Sequence, residues 1–286
     1  MLRADWLTCA VTVPYVPTLG PVHPDAPTVD LFEAVLDLEP GRFLPYDKDQ
    51  RWTDRKDETV LVEHTEHTAE KTTVTTLAGR RGGRVTVYHY AQTPPDLLPA
   101  CENAAKLAAE YGVDASRVVW FQHTPPTPGV TYARALLAPT GEPGTDPDRP
   151  VLALDNCPPG VRESFLDFSA LAGDGMAHLG RCWAEDRISG PVLVAVNGER
   201  VVGAIGPIQT YPGPTGAPQL LPQYLAVLPG HRCGGHGRAL WRAAQRWGHA
   251  AGAAYQLLQV APGSAADELY HGEGAHPLGL VCTVAA

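Results

Sequence analysis

Gln223-Tyr-Leu-Ala-Val-Leu-Pro-Gly-His-Arg-Cys-Gly-Gly-His-Gly-Arg-Ala-Leu-Trp241 decides how the rest of this chain is read. An apolar strand, Leu225-Ala226-Val227, runs through Pro229 into a turn rich in Arg and Gly, and the turn opens an amphipathic helix. Gly234, Gly235 and Gly237 carry no Cβ, so the backbone can curl until successive N–H groups point into one concavity. The new helix adds its unpaired first-turn N–H groups and the positive end of its dipole. These features predict a site for a pyrophosphate, with Arg232 and Arg238 supplying charge-assisted hydrogen bonds. Along the helix, Leu240, Ala243, Ala244, Trp247 and Ala251 make an apolar stripe, opposite a solvated face of Arg238, Arg242, Gln245, Arg246 and His249. A Gly-rich turn before an ordinary helix has the same composition, so the order of the surrounding elements has to arbitrate.

Working outward, Tyr255–Val260 reads as a strand, Ser264–His271 as a short helix and Gly279–Val284 as a last strand. Upstream, Val151–Leu154 is a strand, and Val161–Leu171 and Met176–Ile188 are helices parted by Gly173 and Gly175. Val192–Val196 and Val201–Ile205 form a hairpin around Asn197-Gly198, a pair suited to the two positive-φ positions of a type I′ turn. Leu220–Val227 contains Pro222, which marks an edge strand or a bulge. The expected order is β-α-α-β-β-β-α-β-α-β.

Arg232-x-x-Gly235-x-Gly237, set between Leu225-Ala226-Val227-x-Pro229 and Gly237-Arg-Ala-Leu, resembles the Arg/Gln-x-x-Gly-x-Gly/Ala signature of the GNAT superfamily of acyl-CoA-dependent N-acetyltransferases. Ala266-Asp-Glu-Leu-Tyr270-His-Gly-Glu-Gly274-Ala275 is similar to that family's short helix ending in Tyr-x-x-x-Gly-Phe. The resemblance spans about Val151 to Val284. It implies an α/β fold with a mixed sheet, acetyl-CoA as acyl donor with no metal, and a small-molecule amine acceptor. It implies that Arg232, Cys233, Gly234, Gly235, His236, Gly237 and Arg238 hold the CoA pyrophosphate. The strand Leu225, Ala226, Val227 would be splayed from its neighbour, bind the pantetheine arm and polarise the thioester carbonyl. Tyr270 would protonate the departing thiolate, the alternative for it being a Tyr packed under the sheet.

The chain departs from that pattern in several places. Gly263 and Ser264 stand where an Asn usually opens the last short helix, and Ala275 replaces the closing Phe. Only 11 residues follow Ala275, so a second subunit of a homodimer, or the N-terminal half, is expected to complete the sheet. An alkyl amine is only about 0.1 % neutral at pH 7, so its attack needs a proton acceptor or a water relay. No Asp or Glu occurs from Arg200 to Ala266. Asp174, Glu185, Asp186 or a histidine are the candidates, each weighed against a plain solvated side chain. Cys233 reads as a loop filler, since the family transfers directly, and Tyr224 and Trp241 read as packing beside the CoA site.

The domain line falls at 139–150, where Pro139-Thr-Gly-Glu-Pro-Gly-Thr-Asp-Pro-Asp-Arg-Pro150 forbids regular structure. Residues 1–138 form a mixed α/β domain of unknown role, an unrelated cap or a degenerate GNAT-like copy, and 151–286 the GNAT-like acyl-CoA-binding domain. In the first part, Leu31–Leu38 and Asp96–Tyr111 read as helices. Val60–His64, Thr72–Leu77, Arg84–Tyr90 and Val118–Gln122 read as strands. His64, His67, His89 and His123 are taken as scattered histidines and not a metal site, because i and i+3 on a strand face opposite ways. Gly79-Arg-Arg-Gly-Gly-Arg84 is taken as a hairpin turn.

The composition bounds the rest. The 286 residues carry a net charge of −9, which argues against a nucleic-acid or anionic-membrane binder. No apolar run is long enough to span a bilayer, and the N-terminus does not read as a signal peptide. Six scattered cysteines fit a reducing cytoplasm. Other acyl-CoA chemistry (O-acylation, longer-acyl or aminoacyl transfer, thioester decarboxylation) and a non-catalytic CoA-binding module remain alternatives to amine acetylation.

Overall fold

The computed structural model describes residues 11–79, 82–141 and 150–286. Cys9, Arg80, Arg81 and residues 142–149 of the Pro/Gly-rich stretch lie outside the described residues. In chain order the first elements are β1 (Tyr15–Val16), β2 (Gly20–Pro21), α1 (Val29–Leu36), β3 (Glu58–Val60), β4 (Glu66–His67), β5 (Lys71–Ala78), β6 (Arg84–Ala91), α2 (Leu97–Glu110), β7 (Ala115–Gln122) and β8 (Thr131–Pro139). Then follow β9 (Leu152–Ala153), α3 (Pro159–Leu171), α4 (Asp174–Ala184), β10 (Leu193–Asn197), β11 (Arg200–Gly206), β12 (Thr210–Pro212), β13 (Pro218–Leu220) and β14 (Tyr224–Val227). The chain closes with α5 (His236–Ala250), β15 (Tyr255–Val260), α6 (Ala265–Gly272) and β16 (His276–Ala285). Two compact units result: Met1–Leu137 with Gly213–Gly216 and Leu257–Ala286, and Ala138–Pro212 with Ala217–Gln256. Both mix helices with parallel and antiparallel strands, the α/β class expected.

In the first unit the strands lie in the order β3-β5-β6-β7-β16-β8-β15, with β4 beside β5. β5 and β6 form an antiparallel hairpin, and β7 returns parallel to β6 after α2, a connection that parallel strands require. The period of two sorts each strand onto two cores. Val85, Val87, Val118, Trp120, Leu280 and Cys282 meet Ala104, Leu107 and Ala108 of α2. Tyr88, Tyr90, Val119, Phe121 and Val281 meet the N-terminal segment through Val13, Val16, Leu31, Phe32 and Val35. With both faces covered, these strands read as nearly unbroken apolar runs. The last strand is completed by the N-terminal half: β16 pairs with β7 from Leu280↔Gln122 to Ala285↔Arg117, and with β8 from His276↔Leu137 to Thr283↔Thr131.

The second unit holds the antiparallel sheet β9-β10-β11-β14, with α3, α5 and α4 packed on its strands. Phe165 and Phe168 of α3 are fully buried, and Trp183 of α4 meets Phe165 edge-on at 5.5 Å. β13 pairs with β12 and, in parallel, with Tyr255 and Gln256 at the start of β15.

Several local expectations need correction. The β10–β11 turn is Gly198-Glu199, since Asn197 pairs with Arg200 and Gly198 has φ +61°. A register shift between Ala195 and Val196 moves the turn by one residue and favours a II′ over a I′ arrangement, with Gly at the first central position. Leu220–Val227 is two strands in two sheets, parted at Leu221-Pro222-Gln223. Val60–His64 ends as a strand at Val60, and Val62–His64 is a 3-10 turn. The second helix stops at Ala184, followed by Asp186 with φ +51°. β8 has no counterpart in the sequence reading. Ala78 pairs with Arg84 at the end of the β5–β6 hairpin, and the expected turn at Gly79-Arg-Arg-Gly-Gly-Arg84 lies partly outside the described residues.

The first unit also buries a charged group. Lys56 Nζ contacts Asp47 Oδ2 at 2.6 Å and Asp49 Oδ2 at 3.0 Å, and donates to the Thr18 carbonyl at 2.5 Å. The Lys56 and Asp47 side chains are 2 % and 0 % exposed, so each neutralises a charge that would otherwise lie unsolvated. Burial alone would raise the Asp49 carboxyl, but Lys48 and Lys56 outweigh it and hold Asp49 below its ordinary range. Burial would lower Lys56, and Asp49 and Asp47 outweigh that to hold it above the usual lysine value. The Asp49 contribution is therefore complete above the ordinary carboxylate range and lost as pH falls through its lowered folded value. The Lys56 contribution is complete below the ordinary lysine range and fades above it. Lys56→Met is expected to cost about 3–5 kcal/mol in urea unfolding at pH 7, and the loss should shrink towards acid pH. An unchanged midpoint would show that the pair carries no stability.

Candidate functional site

The site is built around β14. Its four residues are all half-buried, and among the described residues its single strand partner is β11. Leu228 N–H donates to the Val202 carbonyl at 2.9 Å, continuing the register Gly203↔Val227, Ala204↔Ala226, Ile205↔Leu225. Antiparallel hydrogen bonding alternates residue by residue. Ala226 and Tyr224 therefore bond to β11, while the N–H and C=O groups of Leu225 and Val227 point to the opposite edge.

A buried glutamine holds that edge open. Backbone pairing between β13 and β15 stops at Leu220↔Gln256, and Pro222 has no N–H with which to prolong it. Gln256, 0 % exposed, continues the connection with its side chain. Its Nε2 donates to the Leu221 carbonyl at 3.2 Å and to Gln223 Oε1 at 2.6 Å, and its Oε1 accepts from Gln245 Nε2 at 2.6 Å. The chain can thus leave one strand and join another sheet with the Leu221 carbonyl still bonded.

Beyond Val227 the chain makes a 3-10 turn at Pro229–His231, extends at Arg232 and enters α5. Arg232 Nε donates to the Val227 carbonyl at 3.2 Å, tying the turn back to the strand end. Cys233 at φ +60° and Gly235 at φ +82° are both left-handed. Left-handed residues let successive N–H groups turn to one side, the backbone requirement of an anion nest. Gly235 is the N-cap, its carbonyl accepting from Ala239 N–H at 3.0 Å, so the first-turn N–H groups of α5 face the same way. Arg232, Cys233, Gly235 and Arg238 are exposed, and Gly234, His236 and Gly237 half-buried. The first turn holds no acid, and His236 lies 6.4 Å from His231, ring to ring.

Residues 225–238 are thus one continuous strand, turn and helix. Tyr270 lies on α6 and belongs to the first unit. It is 7 % exposed, and burial pushes its hydroxyl up to about 12, so it is protonated at neutral pH. Ser264 takes over as N-cap of α6: its hydroxyl accepts from Asp267 N–H at 3.2 Å, while Asp267 Oδ2 accepts from Gly263 N–H at 2.9 Å. This reciprocal capping explains how the helix starts without an Asn. Asp267 Oδ1 also pairs with Arg134 Nε at 3.2 Å.

Of the proposed bases, Glu185 is paired with Arg187, and Asp174 and Asp186 are exposed. The sequence left the histidine unnamed. His178 of α4 meets the Tyr224 ring edge-on at 6.2 Å, and its Nε2 lies 3.5 Å from Cys182 Sγ. Gly175, one turn earlier, brings α4 so close that an added Cβ would stand 2.7 Å from Tyr224. Trp241 is buried in the helix–sheet core. The i, i+4 pair His178 and Cys182 on a helix face was the available signal. His64 bonds to the Tyr111 hydroxyl at 3.0 Å and His67 to Thr72 Oγ1 at 2.7 Å.

Residues 160–273 match the sequence profile of the Acetyltransferase (GNAT) family. No curated protein matches the chain. Similar solved structures include a GCN5-related N-acetyltransferase from Sphaerobacter thermophilus (TM-score 0.49, 13 % identity, 78 % of this chain and 82 % of that one). A tandem GNAT protein from the clavulanic acid biosynthesis pathway gives 0.47 and 12 %, over 77 % and 80 %. A GCN5-related N-acetyltransferase from Kribbella flavida gives 0.46 and 14 %, over 79 % and 90 %.

Gln256→Leu leaves the Leu221 carbonyl and Gln245 amide without their buried partner. It is expected to lower thermal stability by about 1–3 kcal/mol, read by calorimetry, whereas a neutral result would show that the amide network does not hold the split.

Proposed function

We propose, from the GNAT-family acetyltransferase domain that the chain carries at residues 160–273, that the protein moves an acetyl group from acetyl-CoA to the amine of a small molecule by direct transfer. The family match supports acyl transfer from an acyl-CoA; the acetyl donor, the amine acceptor and a cytoplasmic setting are our reading. No helix among the described residues is long and apolar enough to cross a membrane. By sequence the functional stretch is read as 151–286, its last part, Leu257–Ala286, lying in the first unit with Met1–Leu137, and 1–138 is given no role of its own.

The supporting observation is that the open edge of β14 runs directly into the nest at Arg232 to Arg238. An edge offering the Leu225 and Val227 N–H groups suits an amide-bearing arm. The nest, with Arg232 and Arg238, suits the pyrophosphate at its end. In this reading one of those edge N–H groups polarises the thioester carbonyl, a donor of a kind worth about 10²–10³ in rate. Tyr270 gives its proton to the departing thiolate. His178, beside the first residue of β14, accepts the amine proton, and Cys233 carries no acyl group. The absence of a carboxylate on β14 keeps O-acylation as the second reading.

A thiol-release assay with acetyl-CoA and an amine panel, paired with CoA titration, tests this. Tyr270→Phe should lower kcat at least tenfold with CoA affinity nearly unchanged, and Gly235→Asp should abolish CoA binding. His178→Gln should lower kcat at least tenfold with CoA affinity nearly unchanged. Full CoA affinity in Gly235→Asp would remove the site, unchanged turnover in Tyr270→Phe would remove the acid, and unchanged turnover in His178→Gln would remove the base.

A further inference from the structure

The N-terminal segment covers only part of the first unit's sheet. It lies over Val74, Tyr90, Phe121 and Ala135, and beyond Tyr15 the strands β7, β16, β8 and β15 bound a cavity of about 410 Å³. That volume is in the range of small-molecule sites. The register explains the hollow. Thr283 stands between Val119 and Thr131, and the next row on the same face holds Val281 beside Ala133. Short side chains make the floor, with the Tyr15 ring at one side and two threonine hydroxyls side by side.

Arg117 lies two residues before Val119, on the same face of β7, and lines this cavity. It is half-buried, and its Nε donates to Thr86 Oγ1 at 3.1 Å, which fixes the guanidinium. Among the described residues it makes no ion pair with a carboxylate. Glu58 stands near the same Tyr15 and Tyr88 rings, its Oε1 accepting from Thr76 Oγ1 at 2.6 Å and from the Tyr88 hydroxyl at 3.2 Å. A fixed cation over an apolar floor, with hydroxyl donors beside it, selects a carboxylate that carries a hydrocarbon body. Inorganic phosphate would leave the floor unused, and a neutral ligand would leave the guanidinium unpaired.

We propose that this cavity binds a small organic carboxylate, its charge on Arg117 and the Thr131 and Thr283 hydroxyls, its carbon skeleton on Val119, Val281 and Tyr15. This site goes beyond the acyl-transfer reading and stands without it. Isothermal titration of the full chain with acetate, benzoate and 4-hydroxybenzoate tests it, with benzyl alcohol and inorganic phosphate as comparators. At least one carboxylate should bind saturably at one per chain, and benzyl alcohol and phosphate at least tenfold more weakly. Arg117→Gln should weaken that carboxylate at least tenfold while leaving CoA titration unchanged. If Arg117→Gln fails to fold, Thr283→Val should weaken it several-fold. No saturable carboxylate binding, indifference to the substitutions, or phosphate binding as tightly as the carboxylates would each overturn the proposal.

Discussion

Pro222 is the constraint from which the rest of the second unit follows. Lacking an N–H, it cannot continue the ladder that β13 begins with Tyr255 and Gln256, so the chain must turn away. β14 then pairs with β11 alone, and one edge is left with the amides of Leu225 and Val227 unclaimed by a strand. Open edges invite aggregation unless they are managed. Here the edge is four residues long, closed at one end by the Gln256 amide and at the other by the Arg232 guanidinium on the Val227 carbonyl.

Charge follows the same geography. The protein carries −9 overall, yet the 67 residues from Arg200 to Ala266 hold five arginines and no carboxylate. Two of those arginines flank the left-handed pair Cys233 and Gly235, where the backbone already presents N–H groups. Local field and helix dipole act together there, and the net charge says little about what binds. The same gap leaves β14 without a carboxylate, and His178 meets the ring of its first residue, Tyr224.

What was legible in the sequence had local causes. β15 matches its expected limits, and α5 and α6 follow their capping signals, because apolar periodicity, Gly235 and Ser264 act within a few residues. The misses were non-local. β8 is identified by its pairing with β16, some 150 residues away in sequence, and Arg134 breaks its apolar run. The Gly198-Glu199 turn depends on a bulge that no residue of the turn announces. Within the site, the turn and helix could be read from glycines and arginines. The open edge could not, since which amides point outward depends on the register against β11.

Amide hydrogen exchange resolved to single residues reads that edge. On saturation with CoA, the amides of Leu225 and Val227 and those from Gly234 to Arg238 should become at least tenfold more protected, with Tyr224 and Ala226 unchanged, because the latter two already bond to β11. Protection confined to Ala226 and Tyr224, or absent from all of these residues while CoA is bound, would show that the cofactor does not lie along this edge.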